Sequence, residues 1–357
     1  ISTGDNNIAI GKNALGAEDG HDFNIAIGSN SLAAQDAGAD AYNIAIGHNA
    51  GTSITTGVQN TLIGGQAGDA ITDADFNVGV GHNALSVNVL GSQSVAIGHN
   101  ALLFQNPASA TDMANVAVGY GAGSQITTGI QNTILGGSAG DALTTGNENV
   151  AIGMEALTSD TQGKRSVAVG KSALLTQNLS SSTNAYNTAV GHDSGRSVTT
   201  GVNNIIIGAL AGDALTDADF NVAMGFQALT NDTLGSGSTA IGHHALQTQN
   251  FTSATTSLNV AVGYQAGKAV TTGIANTLVG NTAGLALTTG NNNVVMGHAA
   301  LLSEVQGDLN TAIGVGALQN QVNSSDADVN NTAVGYNAGN AVTSGTKNTL
   351  IGAGSGN

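Results

Sequence analysis

The chain has 357 residues, of which 52 are Gly, 1 is Pro and none is Cys or Trp, and only 3% are aromatic. So few large side chains could not fill the core of a compact globule of this length, and 41% apolar residues argue against disorder. With 7 Lys plus Arg against 23 Asp plus Glu, the net charge of −16 argues against binding to nucleic acids, and no apolar run is long enough for membrane insertion.

A five-residue motif recurs twenty times between Asn7–Gly11 and Asn348–Gly352. It consists of Asn or Ser, a β-branched residue, a small residue, a large apolar residue and Gly. The motif glycines are mostly 17 residues apart, with steps of 21 at every fourth interval from Gly98 onward and a single step of 19. Three steps of 17 and one of 21 give a super-repeat of 72 residues, and segment 72–78 returns as segment 216–222 after 144 residues. This phasing indicates a solenoid.

Within the motif, apolar side chains alternate with a period of two, which is typical of a β-strand. Short strands rich in Val, Ile and Thr that each end at Gly fit a chain that turns sharply. We therefore predict an all-β fold, a parallel β-solenoid of about twenty coils that forms one continuous domain over residues 1–357. A second strand in each coil is expected near residues 53–55, 125–127 and 269–271. Such a chain would be a segment of a longer fibre or a subunit in one.

Stacking turns each motif position into a column. The fourth position is always a large apolar residue, so we expect it to point into the coil, as in Ile27, Ile46, Ile63, Val80, Ile97 and Val118. The third position is mostly Ala and is larger in every fourth coil. An Ala column makes sense against a close neighbour, so we expect contacts with another chain there, rather than with solvent, through Ala26, Ala45, Leu62, Ala96, Ala117 and Ile134.

The first motif position is Asn in seventeen copies and Ser in three. Stacked Asn side chains can hydrogen-bond to one another along a solenoid. We interpret this column as a structural ladder that includes Asn24, Asn43, Asn60, Asn77, Asn115 and Asn132.

The column after the motif Gly holds six of the eight histidines, and His82, His99 and Tyr120 occupy successive coils. A metal site is one interpretation, above all if three chains bring this row to a common axis. The alternative is an exposed or interfacial aromatic ladder, which interruptions of the row by Gly, Met and Lys favour. No metal and no cofactor is assigned on this basis.

Two carboxylate pairs, Asp73 with Asp75 and Asp217 with Asp219, suggest either a glycosidase pair or Ca²⁺ ligands. They recur in register with the repeat, whereas a catalytic constellation is normally unique in a chain, so catalysis is disfavoured. Ca²⁺ binding stays open as the weaker alternative to an absence of cofactors.

Four insertions rich in Ser, Asn, Thr and Ala fall at residues 105–115, 177–187, 249–259 and 319–331. Variable loops on a regular scaffold are where binding is expected, although plain solvated bulges are the simpler interpretation.

The copies Ser94–Gly98 and Ser166–Gly170 resemble the head repeat of trimeric autotransporter adhesins, and the stretch Asn331–Gly339 followed by Thr343–Gly345 resembles the shaft repeats of phage tail-fibre proteins. The resemblance covers nearly the whole chain. It implies a left-handed β-roll, a homotrimer, an extracellular, virion-surface or cell-surface location and attachment to a glycan or protein of a host. The coil is longer than the usual adhesin head coil, and no coiled-coil stalk, membrane-anchor barrel or chaperone domain is visible.

We therefore expect a non-enzymatic fibre shaft that mediates or presents adhesion. The alternative is a structural filament subunit that polymerises end to end with copies of itself or with other fibre segments. An ice-binding solenoid and a polysaccharide-cleaving tailspike are further alternatives, the first disfavoured by interrupted Thr positions. With the fourth motif position inward, Ile207→Asp is expected to disrupt the coils around it.

Overall fold

A computed structural model describes residues 4–18, 20–323, 325 and 327–357. The described residues contain no helix, and the chain folds as a parallel β-solenoid of about 20 turns with roughly 17 residues per turn. This confirms the predicted fold class.

The chain divides into two compact units, the first made of Ile1–Ser172 with Asn178–Ala185 and the second of Ala173–Gln177 with Tyr186–Asn357. The strands of the first unit are β1 Ile8–Ile10, β2 Ile25–Ile27, β3 Ile44–Ile46, β4 Thr61–Ile63, β5 Val78–Val80, β6 Gly91–Ser92, β7 Val95–Ile97, β8 Thr111–Asp112, β9 Val116–Val118, β10 Thr133–Leu135, β11 Val150–Ile152 and β12 Val167–Val169. The strands of the second unit are β13 Thr188–Val190, β14 Ile205–Ile207, β15 Val222–Met224, β16 Gly235–Ser236, β17 Thr239–Ile241, β18 Thr255–Thr256, β19 Val260–Val262, β20 Thr277–Val279, β21 Val294–Met296, β22 Gly307–Asp308, β23 Thr311–Ile313, β24 Ala327–Asp328, β25 Thr332–Val334 and β26 Thr349–Ile351. The expectation of one continuous domain stays a prediction.

The three-residue strands of each unit pair in parallel, each with the equivalent strand of the next coil. In the first unit, Ala26 pairs with Ala45 and Leu62 with Gly79, so every motif position lies beside its own copy. The second unit repeats this register, for example at Ile206 and Ala223. Stacked coils therefore place equivalent motif positions in columns within each unit.

Glycine ends each strand for a steric reason. The motif glycines of the described coils have φ between +115° and +145°, a region that side-chain-bearing residues rarely adopt. At Gly136 an added Cβ would also lie 2.5 Å from the carbonyl oxygen of Gly153 in the next coil. The chain can thus turn and stack at one strand spacing only with Gly at this point.

The predicted second strand of each coil is wrong. Residues 53–55, 125–127 and 269–271 lie in turns, although their backbones still bond to the next coil, as in the bond from the Thr55 N–H to the Thr72 carbonyl (2.9 Å). Additional two-residue strands occur instead around the insertions, where β6 pairs with β8, β16 with β18 and β22 with β24. In each of these three insertions, the chain therefore pairs with the coil that precedes it.

The core alternates between two kinds of coil. Four residues after the motif Gly, two coils carry a buried Leu, such as Leu85 and Leu102, and the next two carry Gly. Glycine is required there because a Cβ at Gly51 or Gly68 would come within 3.0 or 2.8 Å of the Leu62 side chain. The larger third-position residue of every fourth coil thus fills the space that the glycines leave, which gives the core packing a period of four coils.

Candidate interaction surface

The strand residues face the opposite way from the sequence-based prediction. The predicted inward residues Ile27, Ile46, Ile63, Val80, Ile97 and Val118 all lie on the outer side of their strands and are partly or well exposed. The predicted inter-chain residues Ala26, Ala45, Leu62, Ala96, Ala117 and Ile134 are each 0% exposed inside their own coil. The reason is the thinness of the coil: the far wall contributes buried Leu and Ile side chains, such as Leu32 and Ile54, and leaves space only for a small residue on the strand.

The outer side of the strands is therefore an apolar surface, which we call the sheet face and define as the first and third residues of each three-residue strand. Of its 20 positions in the first unit, 18 are Ile, Val or Leu and 2 are Thr, namely Thr61 and Thr133. In the second unit 14 of 20 are Ile, Val or Met and 6 are Thr. None of the 40 positions is charged. Side chains such as Ile97 (39% exposed) and Leu135 (46% exposed) remain open to solvent.

Aromatic side chains occupy the columns directly before and after the strand motif. Before it, Phe23 and Tyr42 stack with ring centroids 5.0 Å apart, and both are exposed. After it, His82 stacks on His99 (5.5 Å) and His99 on Tyr120 (5.3 Å), with ring planes within 9° of parallel. These contacts extend apolar and aromatic surface along the edges of the strands.

The metal interpretation of His82 and His99 is not supported by this geometry. Their rings lie face to face in a ladder, and among the described residues they belong to no group of three side chains that could hold an ion.

The paired carboxylates connect neighbouring coils. Asp73 accepts a hydrogen bond from the Thr56 hydroxyl, and Asp75 accepts one from the Val58 N–H (2.7 Å). In the second unit, Asp217 accepts from the Thr200 hydroxyl (2.5 Å) and Asp219 from the Val202 N–H (2.7 Å). Each carboxylate thus bonds to the coil before it, and neither pair belongs to a group of potential cation ligands among the described residues.

The predicted Asn ladder residues are buried, and the column of Asn is interrupted by Ser at three coils. The Asn43 side-chain oxygen accepts the N–H of Asn60 (2.8 Å), and the Asn60 side-chain oxygen accepts the N–H of Asn77 (3.0 Å). The Asn60 amide donates to the carbonyl of Ala74 in the next coil (2.9 Å), and Asn24, Asn115 and Asn132 accept from the next coil in the same way. The ladder therefore runs mainly between side chain and backbone, and it satisfies polar groups that stacking buries.

A second buried polar feature is separate from the strand motif. Five times along the chain a buried acid or Asn is followed 17 residues later by a buried Gln, and we call each such pair a polar node. In the first, fourth and fifth nodes the Gln amide donates a hydrogen bond to the carboxylate. In the fifth node, Glu304 is 0% exposed and accepts six hydrogen bonds, including those from the Gly307 N–H (2.8 Å) and the Gln321 amide (2.8 Å). The nodes could have been recognised in the sequence, because residues 18, 88, 160, 232 and 304 recur at almost the super-repeat spacing.

The insertions place tips made of Ser, Thr and Ala in solvent on anchored bases. Residues 108–110, 180–182 and 252–254 are exposed, while Leu179 and Phe251 are only 5% exposed and Met113 is fully buried. In the last insertion, residues 324 and 326 lie outside the described residues. The first three insertions therefore present short exposed segments of small and hydroxyl side chains from fixed positions.

Three ionisable groups have shifted pKa values. A hydrogen bond from Arg165 lowers the pKa of the exposed Glu148. Burial raises the pKa of Asp213, although a hydrogen bond from Thr230 acts in the opposite direction. Burial lowers the pKa of His244, and the positive charges of His243 and Lys268 lower it further. None of these groups lies on the sheet face.

In the part of the chain that the structure describes, no cavity is present and no helix could cross a membrane. No protein-family model matches the chain, and no curated protein matches it.

Proposed function

We propose that the chain is a structural shaft segment that assembles side by side with identical copies through the sheet face and serves attachment at a virion or cell surface. Three copies is the number that the resemblance to adhesin heads and tail-fibre shafts implies. In this proposal the chain is extracellular and has no enzymatic activity.

The observation that carries the proposal is the apolar sheet face. Parallel sheets normally have both faces covered, and their strands are then apolar on both sides. Here the inner face is covered by the coil itself, whereas the outer face carries mainly Ile, Val, Leu and Met side chains that the described residues leave partly or well exposed. An apolar surface of this extent is typical of a protein interface.

Identical copies are the partner that this surface fits best. The chain has 7 basic and 23 acidic residues, and all of them lie outside the 40 positions of the sheet face. The contact surface therefore carries no charged side chain that would repel a second copy. Because each column of the sheet face consists of uncharged Ile, Val, Leu, Met or Thr side chains, the sheet face of a second copy presents similar columns in the same register, and a closed symmetric oligomer would bury them.

The attachment part of the proposal rests on the insertions. Their tips, such as residues 180–182 and 252–254, are exposed and polar, and Leu179 and Phe251 fix their bases. Polar loops on a rigid scaffold are suited to binding a glycan or protein on a host surface.

The test is the mass of the full chain in solution, measured by light scattering. We expect three times the chain mass of 34.9 kDa. The double variant Ile97→Asp with Leu135→Asp puts two charges on the sheet face and should give a folded monomer. Phe104→Asp is the matched control, because Phe104 is 40% exposed but lies outside the strands, and its mass should not change.

A folded wild-type chain that is monomeric at all concentrations would refute the proposal. Long filaments that shorten on dilution would support the end-to-end filament subunit instead. Loss of glycan chain length on incubation with the protein would contradict the non-enzymatic part.

A further inference from the structure

The first polar node differs from the other four in the side chains that surround it. Glu18 is 1% exposed, and its carboxylate lies 2.6 Å from Nδ1 of His21, which in turn lies 3.8 Å from the carboxylate of Asp36. One ligand atom from each of the three residues lies within 4.8 Å of the other two. Among the described residues, this is the single group of three side chains that could hold a metal ion.

The other nodes serve as internal comparisons. The equivalents of Glu18 are acids or Asn, namely Asn88, Asp160, Asp232 and Glu304. The equivalents of His21 are all Gly, namely Gly91, Gly163, Gly235 and Gly307. The equivalents of Asp36 are uncharged, namely Asn106, Asn178, Asn250 and Val322. The buried acid or Asn is thus part of the scaffold in all five nodes. Only the first node adds an imidazole and a second carboxylate, and both additions are side chains that coordinate divalent cations.

We propose that Glu18, His21 and Asp36 form a binding site for a divalent transition cation such as Zn²⁺. One imidazole nitrogen and two carboxylate oxygens are a donor set that Zn²⁺ accepts, with water in the remaining position. The two carboxylates balance the charge of the ion. An imidazole ligand favours a transition cation over Ca²⁺, which prefers oxygen ligands.

The neighbouring side chains hold these ligands in place. The Asn7 amide donates to the His21 carbonyl (2.7 Å), and the Gln35 amide donates to the second carboxylate oxygen of Glu18 (3.2 Å). Gln35 is itself bonded by the amide of Asn43 (3.0 Å). Such outer hydrogen bonds fix the orientation of ligands and raise affinity.

The site is open to the solvent on one side. The side chains of His21 and Asp36 are 19% and 58% exposed, so an ion can enter without unfolding the coil. The short contact between His21 and Glu18 is a hydrogen bond when no cation is present. The cation takes the place of the hydrogen-bonded proton between Nδ1 and the carboxylate, and a neutral imidazole that carried its proton on Nδ1 then carries it on Nε2 instead.

The internal comparisons also supply the variants. His21→Gly and Asp36→Asn introduce residues that other nodes carry, so each variant is expected to keep its fold, which thermal unfolding checks. Zn²⁺ is titrated calorimetrically into the full chain. We expect each variant to lose Zn²⁺ affinity by about tenfold or more. His298→Ala is the control, because His298 is exposed and outside the site.

Zn²⁺ affinity that is unchanged in both variants would overturn the proposal, as would a wild-type chain that binds no Zn²⁺. Ca²⁺ affinity as high as the Zn²⁺ affinity would also overturn it, because the imidazole would then have no part in the site.

Discussion

Ile206 and Ile207 are consecutive residues of β14, yet the side chain of Ile206 is fully buried and that of Ile207 lies partly exposed on the sheet face. An Asp at position 206 would place an unpaired charge inside the coil, which is strongly destabilising. An Asp at position 207 would face the solvent or a partner chain. The structure therefore reverses the sequence-based expectation for Ile207→Asp.

We predict that Ile206→Asp makes the surrounding coils sensitive to protease and that Ile207→Asp leaves them resistant. Limited proteolysis followed by mass spectrometry of the fragments measures both. Equal sensitivity of the two variants would mean that the two sides of the strand are not distinguished as the structure shows.

The repeat made the fold predictable, but not the direction in which the strands face. Alternation separates the two sides of a strand and does not say which one is inside when both are apolar. Ala96 and Ile97 differ mainly in size, and the expectation that the larger side chain is buried fails because the coil is thin. The residues four positions after the motif Gly alternate between Leu and Gly, and this pattern indicates what the inner side of the strand packs against.

The Asn column could be anticipated because one polar residue type recurs at a fixed position. The cluster around Glu18 could not, because the three side chains are separated in sequence by 3 and 15 residues and meet only through coil stacking. His21 and Asp36 depart from the residues at equivalent positions, and this difference can be recognised only after the polar nodes have been aligned.

Gly136 and Gly137 are neighbours with opposite constraints. Gly136 has a φ of +140°, and a Cβ there would contact the next coil, whereas a Cβ at Gly137 would have no heavy atom within 4 Å. We predict that Gly136→Ala lowers the free energy of unfolding by about 1–3 kcal/mol from backbone strain alone. Gly137→Ala should leave it unchanged or raise it by about 0.4–1 kcal/mol, because Ala restricts the unfolded chain.

Chemical denaturation of both variants measures this difference. A smaller loss for Gly136→Ala than for Gly137→Ala would contradict the steric account of the motif glycines.

Glu304 is a buried carboxylate that accepts six hydrogen bonds in the fifth polar node. Glu304→Ala would leave the N–H of Gly307 and the amides of Gln321 and Asn323 without their acceptor in a buried region. Because each unsatisfied buried donor costs about 1–3 kcal/mol, we predict a loss of about 3 kcal/mol or more in unfolding free energy. Glu304→Gln keeps one acceptor oxygen and should lose less. Hydrogen exchange at Gly307 locates the effect, and unchanged protection in Glu304→Ala would contradict it.

His244 should make the stability of its coil depend on pH. Its ring lies 3.8 Å from that of His243 between centroids, Lys268 adds a like charge, and both of its ring nitrogens are shielded from solvent without a hydrogen-bond partner among the described residues. Burial, the His243 ring and the Lys268 charge together hold the pKa of His244 below its ordinary value of 6.5.

The unfolded chain therefore takes up a proton at a higher pH than the folded chain does. Stability from this residue is present above about pH 6.5 and decreases as the pH falls through the lower pKa of the folded state. His244→Gln removes the titration and should fit, because Gln227 and Gln265 occupy the same column with φ of +53° and +54°. We predict that the midpoint of thermal unfolding falls less between pH 7 and pH 5 in His244→Gln than in the wild type. An equal fall in both would show that protonation of His244 does not oppose folding.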